Sequence, residues 1–202
     1  MVQNKAGRPR KFDREEVLDK AIEVFWKKGF EGASLDDLTN AMGINRPSLY
    51  STFKDKQSLY LAAISAYGLS IARAPLVAFQ VEKDPKNAVR AFLITMLKNQ
   101  TRNDGLAQGC LMASCAATNA ETIPEVEAML LAGTKAALSE LEKGFEQFKN
   151  AGQLSSTFPS GIKAGLLLDI MQGYAYRSRL GEGRKKLMAE IEDKVSQVIS
   201  CH

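Results

Sequence analysis

One pattern constrains this chain more than any other. Apolar residues return every three or four positions almost from end to end, and period-two alternation is nearly absent. That spacing marks amphipathic α-helices, each hiding one stripe. Val17, Leu18, Ala21, Ile22, Phe25 and Trp26 place about two apolar residues on each turn of a first helix. Asp13 is expected to cap it through the N–H of Glu16, with Glu16 reaching back. Lys27 and Lys28 suit the negative end of the helix dipole, and Gly29 supplies the left-handed residue that stops it.

Ser34 opens a second, shorter helix with Leu35, Leu38, Ala41 and Met42 facing inward, and Gly43 ends it. Ile44 plugs the turn. Asn45 caps a third helix through Ser48, and Pro47 sits in its first turn, where a missing N–H costs little. Leu49 and Phe53, four apart, dock that helix on the first two. Asp55 then caps a long fourth helix over Lys56–Phe79. Further helices are expected at Pro85–Arg102, Leu106–Thr118, Pro124–Asn150, Ser160–Leu180 and Gly183–Ser200, separated by turn chemistry. The fold class is all-α, about nine helices: residues 1–12 form a basic arm, 13–58 a three-helix helix-turn-helix domain, and 59–202 a larger helical domain.

Composition closes off most other functions. The only histidine is His202, and Cys110, Cys115 and Cys201 contain no C-x-x-C pair. No Ser-His or Cys-His pairing, metal site or phosphate-cradling glycine loop can be assembled, so neither enzyme nor cofactor is expected. The best apolar stretch, Ala164–Ile170, already carries Asp169, so no membrane span is expected and the cytoplasm is the default compartment. Net charge is +4, yet residues 1–60 hold 11 basic against 9 acidic residues and the remainder 16 against 14. Bulk charge therefore singles out neither half, whereas Lys5, Arg8, Arg10 and Lys11 cluster ahead of any acid.

A short capped helix following a glycine turn is the layout of a helix-turn-helix, whose second helix must offer its N-terminal half to base edges while its other face packs. Removing Leu49 and Phe53 leaves Arg46, Pro47, Ser48, Tyr50, Ser51 and Thr52 facing away or sideways. Arg46 has the fork for a guanine, Pro47 an apolar face for a thymine methyl, and Ser48 and Tyr50 hydroxyls for phosphate. Ser34, Ser51, Lys54 and Lys56 complete the expected DNA contacts, Lys56 adding charge beside a helix N-terminus. The extended Gly7-Arg8-Pro9-Arg10 segment has the shape and charge for a narrow minor groove. Packing units in proteins that never touch DNA share this spacing, so a protein-binding module stays open on spacing alone.

The segment from Ser34 to Lys56, SLDDLTNAMGINRPSLYSTFKDK, and the preceding AIEVFWKKGFEG of residues 21–32 resemble the DNA-binding signature of the TetR/AcrR regulators. That resemblance implies an all-α homodimer, usually a repressor, that releases a near-palindromic operator when a small molecule binds its C-terminal domain. It places recognition contacts on Arg46, Pro47, Ser48 and Tyr50, and a phosphate-clamping lysine on Lys56. Some members read bases near the start of the second helix; Asp36 and Asp37 stand there in this chain, so no base reading is expected from them.

In the larger domain the last two helices carry Ile162, Leu166, Leu167, Ile170, Tyr174, Leu187, Ile191, Val195 and Val198, a stripe suited to a four-helix dimer interface or to the subunit's own core. Candidate pocket residues are Phe79, Phe92, Met96, Met112, Met129, Phe145 and Tyr174, fitting a small apolar effector. Gly109-Cys110-Leu111 resembles a branch of the family in which such a cysteine senses electrophiles or oxidants. Cys110 thus reads either as a reactive thiol or as a small buried hydrophobe.

Overall fold

The computed structural model describes residues 13–101 and 109–200, and every regular element among them is helical. Helix α1 spans Arg14–Gly32 and is interrupted at Gly29, whose φ of 71° and ψ of 177° break the helical ladder where the glycine stop was expected. Its cap differs from expectation. The Asp13 carboxylate accepts from Glu15 N–H at 2.9 Å, a local bond two residues along in place of the expected box with Glu16. Helix α2 (Leu35–Met42) starts at a capping box between Ser34 and Asp37 and ends at Gly43, φ 66°. Leu38, Thr39 and Met42 are buried, but Ala41, expected inside, is exposed. Helix α3 (Arg46–Phe53) starts from Asn45, which accepts from Ser48 N–H at 2.9 Å.

The expected fourth helix is three pieces: α4 (Lys56–Tyr67), a π-helical turn (Gly68–Ala72) and α5 (Ala74–Gln80). Pro75 is the cause. It has no N–H for the Ile71 carbonyl four residues back, and its ring crowds that oxygen. Asn99 of α6 (Pro85–Gln100) fills the gap, its Nδ2 donating to the Ile71 carbonyl at 3.0 Å. The stretch Lys56–Gln80 also corrects the sequence reading of apolar runs. By length and composition alone it is long and apolar enough to cross a bilayer. Here it joins two cores, Tyr60, Ala63, Ile64 and Tyr67 entering the first and Phe79 the second.

The helix expected at Leu106–Thr118 falls partly outside the described residues. Its described part is a π-helical turn (Met112–Ala116) running into a 3-10 turn (Ala117–Asn119). Hydroxyls back-bond here, Ser114 to the Cys110 carbonyl and Thr118 to the Cys115 carbonyl, competing with a regular ladder. Helix α7 (Pro124–Asn150) packs on α8 (Ser160–Arg179). The expected last helix is split into α9 (Arg184–Met188) and α10 (Ile191–Ile199), with Glu190 between them drawn to Arg177.

The first core unites α1–α4 with Cys110, Leu111, Cys115 and Ala175 of the larger region; the second lies among α5–α10. Six of the nine residues in the expected dimer stripe, Leu167, Tyr174, Leu187, Ile191, Val195 and Val198, are buried in this second core of their own subunit.

Candidate nucleic-acid interface

Helix α3 is held from beneath and open above. Leu49 and Phe53 are buried, and Arg14 of α1 stacks its guanidinium 5.5 Å from the Phe53 ring. Arg46, Pro47, Tyr50 and Ser51 are exposed, while Ser48 and Thr52 are half-buried. Ser51 and Thr52 hydroxyls donate to the Ser48 carbonyl at 3.0 and 2.8 Å, which orients the helix's polar face. Helix α3 ends at Lys54, whose φ of 76° is the one positive value outside glycine among the described residues. That turn delivers the chain to Asp55, which caps α4 by accepting from Ser58 N–H at 2.6 Å.

The polar residues around α3 have definite partners. Arg46 points its fork at Asp36 of α2, with Nη2 at 2.8 Å and Nε at 3.3 Å from one carboxylate oxygen. Asp36 was assigned no base reading, but its role as the seat of Arg46 was not legible in the sequence, since nothing in a ten-residue separation announces a pair between helices. Lys56 rests its ammonium 4.5 Å from the Phe30 ring, a cation–π contact. Ser34 is occupied in capping: its hydroxyl donates to Asp37 at 2.8 Å and accepts from Asp37 N–H at 3.0 Å. Hydrogen bonds from Lys28 and then Ser34 hold the Asp37 carboxyl down to about 2. Arg8 and Arg10 lie outside the described residues.

The eight pocket candidates fall into two groups. Phe79, Phe92, Met96, Phe145 and Tyr174 sit in the second core, and Cys110, Met112 and Met129 belong to or pack against the first. Tyr174 has its hydroxyl pushed up to about 12 by burial and by Glu190. Cys110 and Cys115 are both buried free thiols, and burial raises the Cys115 thiol. An open cleft of about 960 Å³ lies elsewhere, between α1 and the π turn with α6, lined by Lys20, Glu23, Lys27, Ser70, Lys98 and Asn99 among others. None of the eight candidates lines it.

A short, capped helix with a packed underside and a polar outer face, set on two supporting helices, defines a helix-turn-helix DNA-binding protein. The sequence profile of the bacterial regulatory proteins of the tetR family matches residues 17–63. Over 192 residues the chain is 30% identical to the HTH-type transcriptional repressor ComR of Escherichia coli (strain K12), covering 93% of this chain and 89% of ComR. It is 31% identical over 149 residues to the HTH-type transcriptional regulator YezE of Bacillus subtilis (strain 168), covering 74% of this chain and 76% of YezE. A cysteine-substituted form of the TetR family regulator CifR, solved with 26-bp operator DNA, aligns with a TM-score of 0.81 at 29% identity, covering 93% of this chain and 98% of CifR. The chain belongs to the TetR family and is a DNA-binding transcriptional regulator, as its relatives are, and not an enzyme.

Proposed function

We propose that this protein is a ligand-responsive repressor that binds a near-palindromic operator as a homodimer in the cytoplasm and is released by a small molecule. The open polar face of α3 carries this reading, supported by the repressor ComR and by the operator complex of CifR. Arg46 reads a base, Pro47, Ser48, Tyr50 and Ser51 line the major groove, and Lys54 and Lys56 meet phosphates. The arm with Arg8 and Arg10 enters the adjacent minor groove.

The dimer forms through the outward face of α8. Ile162, Tyr176 and Leu180 are exposed there, and Gly165 and Gly173 on the same face leave open space for a crossing helix. The outward residues of α10, Glu192, Asp193, Ser196 and Gln197, are polar, so α8 is the principal dimer helix. The effector is a small apolar or electrophilic compound. It enters among the residues around Phe92, Met96 and Tyr174, or meets the Cys110 thiol beside Met112 and Met129.

Selection of random duplex DNA by the purified protein, with anisotropy titration of the winners at two salt concentrations, tests the reading. An enriched inverted repeat with a steep salt slope is the expected result. A folded, dimeric protein that enriches nothing overturns it.

A further inference from the structure

The break in α1 exposes a joint between the DNA-reading helices and the rest of the molecule. A helix end leaves its last carbonyls without intrahelical N–H partners, and Gly29 creates such an end three residues after Trp26. Arg179, the last residue of α8, reaches that point from 153 positions away. Its Nη1 donates to the Trp26 carbonyl at 2.9 Å and its Nη2 to the Lys27 carbonyl at 3.5 Å. The Cys115 thiol donates to the same Trp26 carbonyl at 3.3 Å. Above it, the Trp26 ring meets Tyr67 edge-on at 5.1 Å, and the Tyr67 hydroxyl donates to Cys110 Sγ at 3.6 Å.

Three further elements thus close on one fully buried residue of α1: α8 through Arg179, the Met112–Ala116 π turn through Cys115, and the end of α4 through Tyr67. The fit is close. A Cβ at Gly109 would lie 2.8 Å from the Ala175 carbonyl and 3.3 Å from Arg179 Cβ, so the strand of chain leading to Cys110 is wedged against the last turn of α8. A guanidinium on helix C-terminal carbonyls also meets the negative end of the dipole. Helix α1 packs on α2 and α4, and those carry α3.

We propose that Arg179 is a positioning residue for DNA reading: by gripping the broken end of α1 at the Trp26 carbonyl, it fixes the angle of the DNA-binding helices on the dimer body and so sets the half-site spacing the protein accepts. This rests on the homodimer and inverted repeat proposed above. The grip does not touch DNA. Its signature is therefore spacing selectivity, with no loss of general affinity.

The test uses full-length protein and a series of selected operators whose half-sites are moved apart or together by one base pair, a change of about 3.4 Å and 35°. Wild-type protein discriminates sharply against the shifted duplexes. Arg179→Ala lowers that discrimination about fivefold or more, while binding to random-sequence duplex stays within about twofold. Arg179→Lys, keeping charge but not the fork, gives an intermediate result. In parallel, amide exchange over residues 27–32 quickens in Arg179→Ala. Should that variant melt below the assay temperature, Arg179→Gln replaces it with the same expectation. Undiminished spacing discrimination in a folded Arg179 variant overturns the proposal, and so does unchanged exchange over residues 27–32. A wild-type protein with no preference for an inverted repeat overturns the operator reading instead, and the exchange measurement still decides whether Arg179 holds α1.

Discussion

Arg46 meets a choice of partners when DNA arrives. Its ion pair with Asp36 is open to water, the two side chains being 54% and 70% exposed. Such pairs are worth under about 1 kcal/mol, whereas a bidentate arginine–guanine contact discriminates by about 1–3 kcal/mol. In the proposed reading a base can displace this weak pair, and Asp36 then serves as a holder for the fork in the free protein. Arg46→Ala is expected to cost about ten- to a hundredfold in operator affinity and to relax preference at one base pair of each half-site, measured by anisotropy on singly substituted operators. Lys56→Ala should weaken binding to every duplex alike and lower the salt slope by about one. Equal losses on all sequences from Arg46→Ala would contradict base reading. The caps at Ser34, Asn45 and Asp55 were legible because each bonds within three residues of itself. The Asp36–Arg46 and Lys56–Phe30 partnerships were not, since they join different helices and leave no periodic trace.

Among elements, local chemistry foretold where helices begin better than where they deform. Pro124–Asn150 has the expected bounds, bracketed by a proline and a glycine. The sequence reading carried a helix straight through Pro75, and the structure inserts a π turn there whose stranded carbonyl Asn99 repairs. Removing that donor leaves the Ile71 carbonyl short of a partner, so Asn99→Ala should destabilise by about 1 kcal/mol. Pro75→Ala restores a backbone N–H, and the double variant should recover part of the loss in denaturant melts; strict additivity would mean the two do not share the carbonyl. A second joint, at the end of α8, is ionic. Arg177 bonds Glu182 at 2.5 Å and Glu190 at 2.5 Å, and with Lys186 it holds the Glu182 carboxyl down to about 2, with Glu190 also below its usual range through Arg177. Carboxyls depressed in the folded state stabilise it above their unfolded value of about 4.3 and lose that contribution as pH falls toward 2. The melting temperature should stay level from pH 7 to about 5 and drop below about 4.5. Glu182→Gln should flatten that drop, and a melt at pH 3 matching the one at pH 7 would contradict the clamp.

At the scale of the whole molecule, periodicity showed which faces are apolar but not whose core they fill. A stripe at helical spacing looks the same whether it meets its own chain or a second copy, because both burials reward the same residues. Of the stripe on the last helices, Leu187, Ile191, Val195 and Val198 are claimed by their own subunit, while Ile162 remains 73% exposed. Tyr176 of the same helix and Leu180 just past its end, which are not in the stripe, are 66% and 69% exposed. This division separates two classes of substitution. Val198→Asp puts a charge into a filled core and should abolish folding, since an unpaired buried carboxylate costs several times what one side chain contributes. Ile162→Asp or Leu180→Asp changes a residue in no core of its own chain, so fold and melting profile of the monomer should survive while the α8 faces repel. Sedimentation should then report a folded monomer. Its affinity for the inverted repeat should fall to near that for a single half-site, because two linked heads no longer share one binding event. A dimer that persists through both substitutions would place the interface on another face and leave the apolar surface of α8 without a partner.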